Sequence, residues 1–301
     1  MRSNGWVWFL SESLRYWEIL SIGLTARQLG ADGLRLTVIS GSGFFPSSLV
    51  DVVSWKSLSG FRRARIASTY GQLWHLWGQQ PRWWPLVRAR SLTVHSLKGG
   101  NESWQGHPAE FSSVSEAAED VNVWRPAFER DLAWGRPEDD QGEPMALVVF
   151  PSSTARPDRS VMDFLSRDFP WPLVKLSDQA GALFGAVGVV SETEAVRFLS
   201  NRGRLLVLPG VDVSTAILAA FASLYGVPTV SPWSPLLDDL LGPDGYIPLR
   251  RNELPKPLEV IGDLGRQAAI QGRHRIHDRC SSRESAETLQ NIYRTLSEGR
   301  R

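Results

Sequence analysis

The sequence has one cysteine, Cys280, so no internal disulfide framework can form, and a lone thiol suits a reducing compartment. Excess charge of either sign is also missing. Lys and Arg total 33 against 32 Asp and Glu, so global charge names no partner. No run reaches the roughly 18 apolar residues of a membrane span. The longest candidate, 216–230, is interrupted by Ser223, Tyr225, Gly226 and Pro228. The opening residues lack the basic-then-apolar order of a secretion signal. Together these absences predict a soluble, cytoplasmic protein and leave peripheral contact with a membrane open. No G-x-G-x-x-G and no P-loop occurs; Gly99-Gly100 and Gly41-Ser42-Gly43 read as plain turns. No Ser-His-Asp set assembles without inventing its geometry. The only cluster resembling a metal site, His274, His277, Asp278 and Cys280, is too short and too basic for a zinc pattern. No metal and no cofactor are expected.

What is present is an alternation of short apolar runs with helical patterns. Residues 205–208 (LLVL) are apolar throughout and end at Pro209-Gly210, as a strand buried on both faces does. Asp212, Ser214 or Thr215 can cap the apolar helix expected over 216–224. Gly226 stops that helix, and 227–230 begins the next strand. Such a unit is one βαβ crossover, and ligands collect at the carboxyl ends of its strands beside helix N-termini. The loop 209–215 is therefore the first candidate for ligand binding.

The rest of the chain repeats this alternation. Strands are expected over 5–10, 34–39, 50–54, 92–94, 111–114 and 121–124, and helices over 12–29, 64–77 and 116–121. The acidic, Gly- and Pro-rich stretch 133–144 reads as a linker. Beyond it, strands are expected over 145–150, 173–176 and 246–249. Helices are expected over 160–167, 235–241 and 284–298, and over 192–200 with Ser191 and Glu194 at capping-box spacing. The fold class is α/β, with two doubly wound Rossmann-like domains facing across a cleft. The expected division is a Trp-rich domain over 1–135, a second domain over 144–270, and a tail helix within 271–301.

Two local biases stand out. Eleven of thirteen tryptophans precede Glu143, and residues 56–98 carry eight Lys or Arg and no Asp or Glu. Arg62, Arg63, Arg65, Trp83, Trp84 and Arg88 mix cations with aromatics. Three occupants fit such a face: an anionic lipid surface, an anionic or glycan-like acceptor, and single-stranded nucleic acid, the last the least favoured. The plain alternative is that the tryptophans fill a core and the arginines are solvated.

Several segments, in order, resemble the two-domain GT-B glycosyltransferases of retaining family 4. Residues 111–121 (FSSVSEAAEDV) are similar to that family's "VS-E-A" strand and helix, and 121–128 (VNVWRPAF) to the strand before its linker. Residues 190–209 (VSETEAVRFLSNRGRLLVLP) are similar to its "vs…el…ly…advlvlP" segment. Ala220-Phe221-Ala222 with Gly226-Val227-Pro228 resembles "E-A-x-A-x-G-x-P", and 236–249 resembles "l…dG…l". The resemblance implies an NDP-sugar co-substrate in the second domain, an acceptor, glycan or lipid-linked, in the first, and metal-independent transfer between them. It places Arg159 at the family's phosphate-binding Lys, with Arg156 as a second cation, and Asp212 at the acidic residue opening the donor loop. Ser214 and Thr215 complete the implied donor contacts. His95 takes the place of a His that touches the transferred sugar or the acceptor. Ala220 stands where the family has its second Glu, and Ser11-Glu12-Ser13 where it has a Gly-rich turn. Those departures support the rival reading, a non-catalytic GT-B relative acting as a binding or scaffold subunit.

Overall fold

The computed structural model describes residues 6–34, 36–41, 45, 51–54, 58–60, 62, 73–79, 82, 92–96, 126–129, 144–151, 158–167, 170–176, 188–250 and 254–298. The chain divides into two compact units. The first comprises Met1–Gly99, Ser103–Ala127 and Ser282–Arg301; the second comprises Gly100–Glu102 and Phe128–Ser281.

In the first unit, five parallel strands form one sheet: β1 (Trp6–Leu10), β2 (Leu36–Ser40), β3 (Asp51–Ser54), β4 (Leu73–Trp77) and β5 (Leu92–Ser96), in the order β3-β2-β1-β4-β5. Helix α1 (Tyr16–Ala31) crosses from β1 to β2, and the last helix of the chain packs beside it. Tryptophans fill the core here. Trp8, Trp74 and Trp77 have no solvent exposure, and Trp17 is buried on α1.

The helix expected over 64–77 is not formed at its end, because 73–77 is β4. The reason is burial. Trp74, His75, Leu76 and Trp77 are all fully enclosed, with strands on either side and both sheet faces covered. A strand in that setting loses its polar–apolar alternation, and Leu73, Leu76 and Trp77 then mimic a helical stripe.

The second unit has six parallel strands: β6 (Met145–Val148), β7 (Leu173–Leu176), β8 (Gly188–Val190), β9 (Gly203–Val207), β10 (Thr229–Pro232) and β11 (Ile247–Leu249). Their order is β11-β10-β9-β6-β7-β8. The crossovers are α2 (Arg159–Leu165), α3 (Glu192–Asn201), α4 (Val213–Leu224) and α5 (Pro235–Leu240); α6 (Pro257–Ile261) and α7 (Asp263–Arg279) follow. One core layer joins Ala146, Val148, Leu205, Val207, Val230 and Leu249 of the sheet to Val161 and Phe164 of α2 and Val260 of α6. Ser191 and Glu194 cap α3 reciprocally, as their spacing predicts.

The strand β8 and the helices α6 and α7 were not expected from the sequence. Helix α7 runs across position 270, and its carboxyl end is Cys280, whose carbonyl accepts from the backbone N–H of Phe128 at 2.8 Å. Helix α8 (Ser282–Glu298) belongs to the first unit. There it buries Leu289, Ile292 and Tyr293, and Ser285 shares a 2.8 Å hydroxyl bond with Thr25 of α1. Among the described residues no helix is long and apolar enough to cross a membrane.

Candidate functional site

The strand order of the second unit sets where a ligand belongs. Counted from β6, the chain adds β7 and β8 on one side, then returns to lay β9, β10 and β11 on the other. The direction of winding therefore reverses between β6 and β9. In open parallel sheets, the crevice at the carboxyl ends of two such strands is where ligands bind.

The segments leaving β6 and β9 meet at that crevice. The backbone N–H of Asp158 donates to the carbonyl of Pro209 at 2.7 Å. A side chain at Gly210 would bring its Cβ to 3.1 Å from Pro151, so glycine lets the two segments approach. Two residues after Asp158, the Ser160 hydroxyl donates to Asp158 Oδ1 at 2.5 Å and lies 3.4 Å from the carbonyl of Leu249, the last residue of β11. Asp158 and Ser160 thus reach the segments at the ends of β9 and β11, and Arg159, the first residue of α2, stands between them in the chain. Its side chain is 74% exposed and lies 4.0 Å from Asp163 on the next turn of α2. A contact that long and that exposed holds a guanidinium weakly and leaves it available to an anion.

Asp212 takes a capping role. Its carboxylate accepts from the backbone N–H of Thr215 at 2.8 Å and from the Thr215 hydroxyl at 2.9 Å, while that hydroxyl accepts from the Asp212 N–H at 2.9 Å. The N-terminus of α4 therefore carries its own negative charge. The start of α2 is closed in the same manner, with Asp158 accepting from the N–H of Ser160 at 2.7 Å. Ser214 and Thr215 lie in the first turn of α4 and are buried. Ala220 lies two turns further in and is fully buried. The position that the resemblance gives to a second Glu is, in this chain, a packing position.

One strand further along the same edge is a group that sequence reasoning missed. Trp233 follows β10 directly, and its indole is 62% exposed. The indole N–H donates to Asp238 Oδ2 at 2.9 Å, and the Tyr246 hydroxyl donates to Asp238 Oδ1 at 2.8 Å. Burial pushes the Tyr246 hydroxyl pKa far up, so it stays a donor. Its place directly after the strand expected from 227 onward was the one sequence signal that could have pointed to it.

Other expected residues stand apart. His95 lies inside β5, paired with Leu76 of β4, and does not follow the strand as expected; β5 runs two residues beyond position 94. Arg62 is exposed. Arg156, Arg63, Arg65, Trp83, Trp84 and Arg88 lie outside the described residues, as do the elements expected over 111–124 and most of the stretch 133–144. A cavity of about 500 Å³, lined by Met145, Val174, Val190, Glu194, Arg197 and Arg202, lies along β8 and α3. None of Asp158, Arg159 and the loop 209–215 lines it.

No protein-family profile matches the chain, and no curated protein matches it in sequence. Solved structures do match in three dimensions. A glycosyltransferase from Rickettsia africae superposes with a TM-score of 0.63 at 12% identity, covering 97% of this chain and 99% of its own. AviGT4, a glycosyltransferase of avilamycin A biosynthesis, gives 0.63 at 14% identity, covering 97% and 98%. HepE from Anabaena, solved in complex with UDP-glucose, gives 0.58 at 13% identity, covering 97% and 99%. At such identities the likeness is one of architecture: the chain has the parallel α/β fold of the GT-B glycosyltransferases.

Proposed function

We propose that the protein is a glycosyltransferase that moves a sugar from a nucleoside-diphosphate donor to an acceptor, with retention and without a metal. The observation that carries this reading is the bond from Asp158 to Pro209 at the switch point, which ties the residue before Arg159 to the loop 209–215. The fold likeness to glycosyltransferases, one of them solved with UDP-glucose, supports it. Breaking the bond between the sugar and the diphosphate leaves negative charge on the leaving phosphate, and a fixed cation there lowers the barrier. Arg159 supplies that cation, and its forked guanidinium suits a phosphate bidentately. Arg156, three residues earlier, is the second cation in this reading.

The acid caps on α2 and α4 shape the assignment. Asp212 turns its carboxylate onto α4, so the arginines and not that helix terminus carry the diphosphate. Asp212, Ser214 and Thr215 fix the loop that frames the donor. We assign His95 to the transferred sugar or the acceptor. The basic stretch with Arg62, Arg63, Arg65, Trp83, Trp84 and Arg88 is assigned to the acceptor side; its composition suits either a glycan or the surface of an anionic membrane. The test is calorimetric titration with UDP-, GDP- and ADP-sugars, followed by assay of donor hydrolysis. Saturable binding of one donor with slow release of free sugar supports the enzyme. Absence of binding at millimolar donor supports a non-catalytic scaffold instead.

A further inference from the structure

Trp233 is an exception in this molecule. The other tryptophans among the described residues are buried or half-buried, whereas its indole is 62% exposed. An exposed indole gives up the burial that usually accounts for a tryptophan's place in a fold. Yet it is not loose. Asp238 accepts its N–H, the same carboxylate accepts the Tyr246 hydroxyl, and the Tyr246 oxygen accepts the backbone N–H of Ser234 at 3.2 Å. Ser234 and Tyr246 are buried, so the chain of bonds runs from the indole edge into the core. The indole N–H is clamped while the residue as a whole stays exposed.

Its position is equally defined. Val230 of β10 pairs with Val207 of β9, and the backbone N–H of Leu208 donates to the carbonyl of Val230 at 2.8 Å, so β10 runs beside the strand that leads into the loop 209–215. Adjacent strands lie about 5 Å apart, so the backbone leaves β10 at Trp233 one strand over from the strand that feeds the loop 209–215. Pro232, just before Trp233, pairs with Leu249, whose carbonyl lies 3.4 Å from the Ser160 hydroxyl. The Asp158–Pro209 bond that precedes Arg159 and the ring of Trp233 after β10 therefore both lie at the carboxyl edge of this sheet.

We propose that Trp233 is a preformed platform for a pyranose ring, stacking on the sugar's C–H face while Asp238 fixes the indole's orientation. The aromatic face carries partial negative charge and the C–H edges of a pyranose are weakly positive, so the contact is favourable and tolerant of the sugar's identity. Clamping the ring in advance removes the ordering cost at binding. This rests on the glycosyltransferase reading for its ligand class, and the sugar comes from either the donor or the acceptor.

The test follows indole N–H resonances by NMR, with Trp233→Phe identifying the signal of Trp233. UDP, UDP-glucose and maltotriose are added separately, and UDP and UDP-glucose affinities are measured for wild type and Trp233→Ala. A Trp233 shift with UDP-glucose but not UDP, with a roughly tenfold loss of UDP-glucose affinity alone in Trp233→Ala, assigns the platform to the donor sugar. A shift with maltotriose and not with UDP-glucose assigns it to the acceptor. Equal shifts with UDP and UDP-glucose would indicate base stacking and overturn the proposal. So would a silent Trp233 signal with all three probes while UDP-glucose still binds. If wild type binds no nucleotide at all, the donor reading fails separately, and the maltotriose arm alone decides for or against Trp233.

Discussion

The backbone N–H of Asp158 donates to the carbonyl of Pro209 at 2.7 Å, joining the segments that leave two adjacent parallel strands on opposite arms of the winding. That bond ties the residue before Arg159 to the loop 209–215. In the proposed diphosphate site, Arg159 is then an exposed cation on a hydrogen-bonded base. Four expectations follow from this arrangement and from the packing around it, and a fifth closes the account.

Asp212 works through its cap. Asp212→Ala should cost about 1 kcal/mol of stability in the second unit, the usual loss when an N-cap acid is removed. Asp212→Asn should cost less, because the amide oxygen can still accept from the Thr215 N–H. Urea midpoints of the two variants check the order. If the cap's charge opposes a diphosphate, Asp212→Asn should bind UDP at least as well as wild type.

Placing at 220 the acid that the resemblance to family 4 implies should harm this chain. Ala220 is fully buried in α4, with Ile217, Phe221 and their neighbours equally enclosed. Ala220→Glu would bury an unpaired carboxylate, which costs several kcal/mol unless the group is neutralised. Loss of the folded protein or a fall in melting temperature is the expected outcome, with no gain in donor affinity.

Glycine at 245 is required by close approach. A Cβ there would lie 2.1 Å from the carbonyl oxygen of Leu241 and 2.9 Å from the Cα of Gly272 on α7. Backbone atoms cannot yield as a side chain tip can. Gly245→Ala should destabilise the second unit by about 2 kcal/mol, in the range of other overpacking substitutions. Thermal melts of the purified variant read this directly.

Tyr293 makes the first unit sensitive to alkali. Its hydroxyl is fully buried, accepts from the Trp8 indole N–H at 3.1 Å and bonds to His75 Nδ1. Burial raises its pKa well above the ordinary value. A raised pKa in the folded state means the folded chain keeps a proton that the unfolded chain releases. The stabilisation is therefore whole below about pH 10, the unfolded tyrosine value, and declines as pH rises beyond it. Tyr293→Phe should be less stable than wild type at pH 8, because it removes the hydroxyl both neighbours use, and should show a shallower decline between pH 10 and 11. Circular dichroism melts across that range check both statements.

Much of this was legible in the sequence, for physical reasons that can be traced residue by residue. Leu205 to Leu208 announced a doubly buried strand, and Ser191 with Glu194 announced a helix start. Both signals are local, so tertiary context had nothing to override. Leu73 to Trp77 misled because complete burial erases the alternation that marks a strand. Helix α7 was missed because Gly265, Gly272 and its many charges leave no apolar stripe. It is held by close packing at glycines, with Gly272 set against Ser223 of α4. The site divides the same way. Asp212 stood out by its place after a strand and Arg159 through the resemblance, and the structure gives Asp212 a capping geometry. Trp233 did not stand out, because an exposed indole has no sequence signature; only its bond to Asp238 and its place at the carboxyl edge distinguish it from core tryptophans.

The most direct measurement is the UDP affinity of Arg159→Ala against wild type, in the full chain and at one salt concentration. A charged hydrogen bond is typically worth ~1.5–3 kcal/mol. The account predicts that wild type binds UDP and that Arg159→Ala binds it roughly tenfold to a hundredfold more weakly, with an unchanged melting temperature. Equal UDP affinity in the two proteins would contradict it.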